Sequence, residues 1–418
     1  MDNLTHTLIG ALAGETVTRT TGAHATDDGR GLPADMRRDL FVTVAALASN
    51  LPDIDLVYSF LGGKVNYLLH HRGHSHTIVG ALVLAALLYV ATQSWLRRRG
   101  LRASASDQRW LAAIVFVAPL LHIAMDATND YGVHPFWPVD NRWRYGDSVF
   151  IAEPLLWAAC APLLFLLRTL TARVVMASLM AAAVVLLSIG GVLPPAIAAV
   201  WGMVMAAMLA IGRWASPRVA LAAGIALWLA TTVTFVIGSH VAGARVTAIA
   251  ARDFPQARLL DHVLTAMPSN PLCWQVLLVQ TQAEAVALRR GVLSLAPEQI
   301  TAAQCDGARA AAPTTAPLQP VAASSDAAIA WHGEVLTPLR TLSELAATNC
   351  NVAAALRFVR APWLASFEEA TIFGDLRYDR EKAPGFAEIV LSPDLRCPAF
   401  VPAWQPPRSD ILGTIPSG

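Results

Sequence analysis

The chain is short of charge. Asp, Glu, Lys and Arg make up only 15% of its 418 residues, where a soluble domain carries about 25%. Lysine is nearly missing: of 31 basic residues, only Lys64 and Lys382 are lysines. The net charge is +1, and the arginines are not gathered into one patch. These shortages exclude a disordered polyelectrolyte, a basic nucleic-acid-binding domain and an ordinary cytosolic enzyme. A basic leader is also missing. Met1-Asp2 opens a half-apolar stretch that runs into Glu15, which is not expected of a cleaved signal peptide.

Long apolar runs are present instead. Thr77–Trp95 and Trp110–Met125 carry no charge, Val174–Gly212 runs 39 residues without one, and Val219–Ala244 is also uncharged. About 20 apolar residues span a bilayer. The runs predict six spans, near 77–95, 110–126, 151–167, 174–193, 196–212 and 219–238. Two weaker membrane-associated segments precede them, Leu4–Thr18 and Leu40–Leu61, the second interrupted by Asn50, Pro52, Asp53 and Asp55. The expected fold is therefore an α-helical membrane protein of six to eight membrane-associated helices with a C-terminal α+β soluble domain.

Arg97, Arg98, Arg99, Arg102 and Arg109 fill one connection, Arg168 and Arg173 the next, and Arg213 and Arg218 another. The loop at 190–195 is uncharged. Placing the basic turns in the cytoplasm puts 62–76, 127–150 and 239–418 outside, against the cost of Arg142 and Arg144 in an outer loop. Cys273, Cys305, Cys350 and Cys397 all fall in the outer tail, where they can form two disulfides in three possible pairings. In that tail, Trp274–Gln280, Glu284–Leu295, Ala370–Tyr378 and Phe386–Leu391 read as strands. Pro338–Cys350 and Val352–Arg360 read as helices, and Ala302–Ser325 as a mobile loop. The organisation expected is 1–155, a helical metal-site region; 156–238, transmembrane helices; and 239–418, an extracytoplasmic domain.

Eight of the 11 histidines lie in the first 134 positions. Ionisable groups are costly near membrane segments, so they are functional suspects. Four clusters stand out: Thr5-His6-Thr7; Asn50-Leu51-Pro52-Asp53-Ile54-Asp55; His70-His71-Arg72-Gly73-His74-Ser75-His76; and His122-Ile123-Ala124-Met125-Asp126. The topology brings all four to one membrane level. A spacing of four puts His122 and Asp126 on one helix face. Imidazole with carboxylate suits a divalent metal, zinc first, with manganese or iron as alternatives. So many ligands fit two ions better than one, the arrangement of two-metal phosphoester hydrolysis. His24 and His134 read as solvated loop residues.

In this order and spacing, Met1-Asp-Asn-Leu-Thr-His6, Leu51-Pro-Asp-Ile-Asp55, His71-Arg-Gly-His-Ser-His76 and His122-Ile-Ala-Met-Asp126 resemble the bacterial membrane-bound metal-dependent hydrolase family. Its best-known members are LexA-regulated inner-membrane proteins. Asn129-Asp-Tyr-Gly132 through Glu153-Pro154 looks like the same pattern, with Glu where Asp is usual, and the resemblance covers roughly residues 1–155. It implies an inner-membrane, multi-pass protein with a periplasmic tail, and metal ligands at His6, Asp53, Asp55, His71, His76, His122 and Asp126. His70 and His74 match variable positions. The expected activity is hydrolysis of a phosphoester or of an amphiphilic, lipid-linked substrate at the outer face, with the bilayer as neighbour and no nucleic acid. Asp53 or Asp55 would bridge the ions or take the proton. Arg72 would contact an anionic group in a planar, two-point manner, and Asp147 would orient a ligand histidine. The rival readings are a structural metal site beside a binding domain, and, less favoured, a metal transporter.

Overall fold

The computed structural model describes residues 1–21, 32–189, 194–306, 313–367, 370–392 and 394–412. His24 and residues 190–193 of the uncharged loop at 190–195 lie outside the described residues. The chain divides into two compact units that interleave in sequence. One comprises Met1–Ile54, His74–Asn129 and Val149–Thr234; the other comprises Asp55–Gly73, Asp130–Ser148 and Phe235–Gly418.

Helices in chain order are α1 (Asn3–Thr20), α2 (Ala34–Ala48), α3 (Asp55–Leu61), α4 (Gly63–His70), α5 (Ile78–Arg98), α6 (Ala105–Asp126), α7 (Pro154–Cys160), α8 (Leu163–Leu166), α9 (Leu170–Ile189), α10 (Pro195–Trp214) and α11 (Pro217–Asp253). Among the described residues, α5, α6, α10 and α11 are long and apolar enough to cross a membrane. A broken span of α2 with Pro52–Ser59 makes a fifth. The segment expected to span at 151–167 is divided into α7 and α8, with Pro162 at the break, and is short for a span. Most of α7 is buried within the protein, including Trp157 and Cys160. At 37 residues, α11 is about 55 Å long, well beyond a hydrocarbon core of about 30 Å.

Close backbone approach organises the first unit. A Cβ on Gly10 would stand 2.7 Å from the Ala45 carbonyl oxygen, so only glycine lets α1 lie against α2 there. Phe41, Val44 and Ala45 of α2 then pack with Ala85 of α5 and with Leu111, Ile114 and Val115 of α6. Arg37 and Arg38, near the start of α2, are tied into ion pairs with Asp107 and Glu15.

The second unit carries two antiparallel sheets, β1 (Arg258–Met267), β2 (Asn270–Gln282), β3 (Ala285–Ser294) and β4 (Ile329–Pro338) in that order, and β5 (Pro362–Ser366), β6 (Thr371–Asp375) and β7 (Glu388–Leu391). Its core gathers Leu342, Phe358, Trp363, Phe373 and Trp404 with Leu68 and Leu69 of α4. The segment expected to be a mobile loop begins with a short helix, α12 (Ala302–Asp306), and Gln319 bridges to Glu334 of β4; residues 307–312 lie outside the described set. Helices α13 (Leu339–Thr348) and α14 (Cys350–Ala355) match the helical readings. Of the three pairings, the structure holds Cys273–Cys305 and Cys350–Cys397, with Cys160 free and buried. His134, read as solvated, is fully buried and packs its ring 4.4 Å from Trp143 and 3.7 Å from Trp404.

Glu388 on β7 is buried. Burial first, then the nearby Asp379, pushes its carboxyl up to about 7 from an ordinary 4.5, against the Gly385 N–H and the Lys64 ammonium. The folded state therefore holds more protons than the unfolded chain between about pH 4.5 and 7, and stability falls as pH rises through that window. Full-length Glu388→Gln protein is expected to lose this slope, gaining on the wild type between pH 5 and 8 in unfolding midpoint. A difference that stays constant over that range would contradict the assignment.

Candidate metal centre

The site in the first unit is built by four helix ends. Asp2 caps α1: its carboxylate accepts from the Thr5 N–H at 3.0 Å, fixing the turn that carries His6. The Thr5 hydroxyl accepts from Trp157 Nε1 at 2.8 Å, holding that turn to α7. α2 ends at Ala48, and Pro52 begins a tight 3₁₀ turn bearing Asp53. Thr77 caps α5 by accepting from the Gly80 N–H at 2.9 Å, behind a second such turn, His74–His76. A Cβ on Gly80 would stand 2.0 Å from the His74 carbonyl oxygen, so the turn can fold onto the helix only over glycine. α6 presents His122 and Asp126 one turn apart at its C-terminus.

These ends bring Asp53, His76, His122 and Asp126 into one buried group with one donor atom each within 4.8 Å of the others. His76 Nε2 lies 3.1 Å from His122 Nε2 and 3.3 Å from both Asp53 Oδ1 and Asp126 Oδ2. His122 Nε2 lies 3.3 Å from Asp126 Oδ2 and 3.7 Å from Asp53 Oδ1. His6 joins from the side: its Nε2 is 3.3 Å from Asp126 Oδ1, and its ring stacks on His122 with centroids 3.5 Å apart. The Met1 ammonium also contacts Asp126.

The donor set fits a divalent cation. His122 Nδ1 stands 2.6 Å from the Ser49 carbonyl oxygen. A carbonyl only accepts, so Nδ1 carries the proton and neutral His122 presents a bare Nε2 lone pair to the group. This is how a metal-binding histidine is oriented from behind. Tetrahedral ligands at 2.0–2.1 Å from zinc stand about 3.4 Å apart, close to the separations found here.

Asp55, His71 and Arg72 fall in the second unit. Asp55 accepts from the Arg72 backbone N–H at 2.9 Å, and its other oxygen lies 3.3 Å from His71 Nδ1. Arg72 adopts φ 57°, a left-handed conformation costly for a residue with a Cβ, and such strain clusters at functional sites. Its buried guanidinium lies 4.8 Å over the Tyr131 ring. His71 stacks on Tyr67 at 4.9 Å and meets the Tyr131 edge at 5.3 Å. His70 packs between Tyr58 and Phe400.

Asp147 does not serve a ligand histidine. Its two oxygens accept from Arg360 Nη1 and Nη2 at 2.8 and 2.9 Å, and the same guanidinium holds Asp261 at 2.8 Å and covers Tyr145 at 4.1 Å. Asp147 is thus a brace within the second unit. Glu153 caps α7, accepting from the Leu155 N–H at 3.0 Å. Sequence reasoning missed the Ser49 carbonyl and the Met1 amine, since main-chain groups leave no residue-type signal. Tyr131 lay inside a quoted pattern, but its ring had no assigned role.

Apolar spanning helices with a buried His/Asp donor group define a multi-pass membrane protein able to hold a metal at its helix ends. Residues 1–196 match the family model described as YdjM inner membrane protein, in keeping with a bacterial inner-membrane family for that part of the chain. No curated protein and no solved structure matches the sequence.

Proposed function

We propose that the protein is a membrane-bound, metal-dependent hydrolase acting at the outer face of the inner membrane on a phosphoester or amphiphilic substrate. The observation that carries this reading is the Asp53, His76, His122 and Asp126 group, with the His122 tautomer set by Ser49. Zinc is the first choice of ion and manganese or iron the alternatives. Asp55 and His71 would supply a second ion's ligands, two residues beyond Asp53 and on the stretch before His76. A bound divalent ion supplies Lewis-acid polarisation of the scissile group's oxygen. Asp53, the most exposed of the four donors, would take the proton of the attacking water, and Arg72 would hold the substrate's anionic oxygens. The two disulfides support a periplasmic second unit. The fuller set of six to eight membrane-associated helices belongs to the same proposal.

A second reading, a structural metal site in a non-enzymatic membrane protein, is favoured by how deeply the donors lie: His76 and Asp126 are 0% exposed. Purified full-length protein in detergent separates the two. Metal content is measured by plasma mass spectrometry, and turnover is screened on nitrophenyl phosphoesters and phospholipids before chelation, after it and after metal is restored. Turnover that follows the metal supports hydrolysis. Bound metal with no turnover supports the structural site, and absence of metal overturns both.

A further inference from the structure

A second feature of the first unit lies away from the His/Asp group. α2, α5 and Arg168 enclose a groove of about 720 Å³, within the range of small-ligand pockets. Its walls are Met36, Leu40, Val44, Leu47, Ala91 and Trp95. Leu47 and Trp95 are 54% and 42% exposed, and α5 is one of the candidate spans, so the groove opens toward bilayer hydrocarbon.

Its charges gather at one end. Asp35 and Asp39 stand one turn apart at the start of α2, and Trp95 near the end of α5 lines the same groove, as an interfacial aromatic does. Arg168 reaches both carboxylates: Nε is 3.3 Å from Asp39 Oδ2, and Nη1 contacts Asp35. Two carboxylates against one guanidinium leave one net negative charge. The basic residues on adjoining turns are already engaged, Arg37 by Asp107, and Arg38 and Arg19 by Glu15.

We propose that this groove binds a phospholipid whose headgroup ends in a primary ammonium, that is, one of phosphatidylethanolamine chemistry. An acyl chain fills the apolar walls, the ammonium donates to Asp35 and Asp39, and the phosphate meets Arg168. A choline headgroup has no N–H to donate, and a glycerol headgroup, whose phosphate meets Arg168 just as well, brings no positive charge to offset the second carboxylate. The site is independent of the hydrolase reading, since it uses none of the His/Asp residues.

Delipidated full-length protein, titrated in detergent with ethanolamine, choline and glycerol phospholipids of identical chains and followed by native mass spectrometry, tests this. The ethanolamine lipid should bind about two- to fivefold more tightly than the glycerol lipid, the scale of one partly exposed ion pair, and more tightly than the choline lipid. Asp35→Asn with Asp39→Asn should bring the preference close to one. Ala91→Trp, which fills the groove and leaves its charges, should remove the bound lipid and serves if the double variant does not fold. Equal binding of the three lipids, or a preference that survives both variants, overturns the proposal.

Discussion

On the proposed metal-dependent reading, full-length His76→Ala protein is expected to retain at most about one hundredth of the wild-type affinity for a divalent metal, and to lose with it any phosphoester turnover that the metal supports. The magnitude follows from the geometry. Loss of an outer partner of a ligand costs 10–100-fold, and His76 stands in the group itself, 3.1–3.3 Å from His122, Asp53 and Asp126. Without it, His122 and the two carboxylates remain as three donors. The matched control is His74→Ala, on the same 3₁₀ turn but outside the four-donor group. Its backbone carbonyl, the atom packed against Gly80, is kept. Metal content is read after dialysis against a competing chelator, with the unfolding midpoint of the metal-free proteins as the fold control. Equal loss in both variants would mean that the turn's fold, rather than the His76 imidazole, sets the affinity. Unchanged metal content in His76→Ala would remove the site as described.

Arg360→Met is expected to destabilise the second unit by about 3–5 kcal/mol, the usual result of stripping one partner from a buried ion pair. Burial pushes the Asp147 carboxyl up, and Arg360 offsets part of that push. With the guanidinium gone, burial acts unopposed and Asp147 folds in its neutral form. The variant should therefore be most stable at low pH and lose ground as pH rises above the ordinary carboxylate range. Asp147→Asn added to Arg360→Met should recover part of the loss and flatten that slope, which a double-mutant cycle on unfolding midpoints measures. Additive effects of the two substitutions would show that the bidentate contact contributes nothing of its own, and would reopen the role of Asp147.

Particular residues show where sequence was readable. His122 and Asp126 could be paired from spacing alone, because a helix repeats its face every three to four residues. Asp53 could be singled out because a proline beside a carboxylate in an apolar region marks a turn that must be satisfied. Strands β2, β3, β6 and β7 carried legible patterns. β1, β4 and β5 did not: β1 mixes buried and half-buried positions without clean alternation, so its period could not be read. Asp147 was misread because nothing near it in sequence announces Arg360, 213 positions away. His134 was misread because its flanks are loop-like, while the tryptophans that enclose it come from Trp143 and from the far end of the chain.

The sequence by itself determined that this chain resides in a membrane, that the segments of α5, α6, α10 and α11 are apolar enough to cross it, and which polar residues are too costly there to be incidental. Those properties are local: transfer free energy adds along a segment, and helical spacing sets which side chains share a face. Tertiary structure alone decided that Ser49 fixes the His122 tautomer, that His6 reaches the group through Asp126, that Asp55–Gly73 and Asp130–Ser148 fold with the C-terminal unit, and how the four cysteines pair. Each depends on residues tens to hundreds of positions apart, often through a main-chain atom common to every residue type, and no local pattern encodes such a contact.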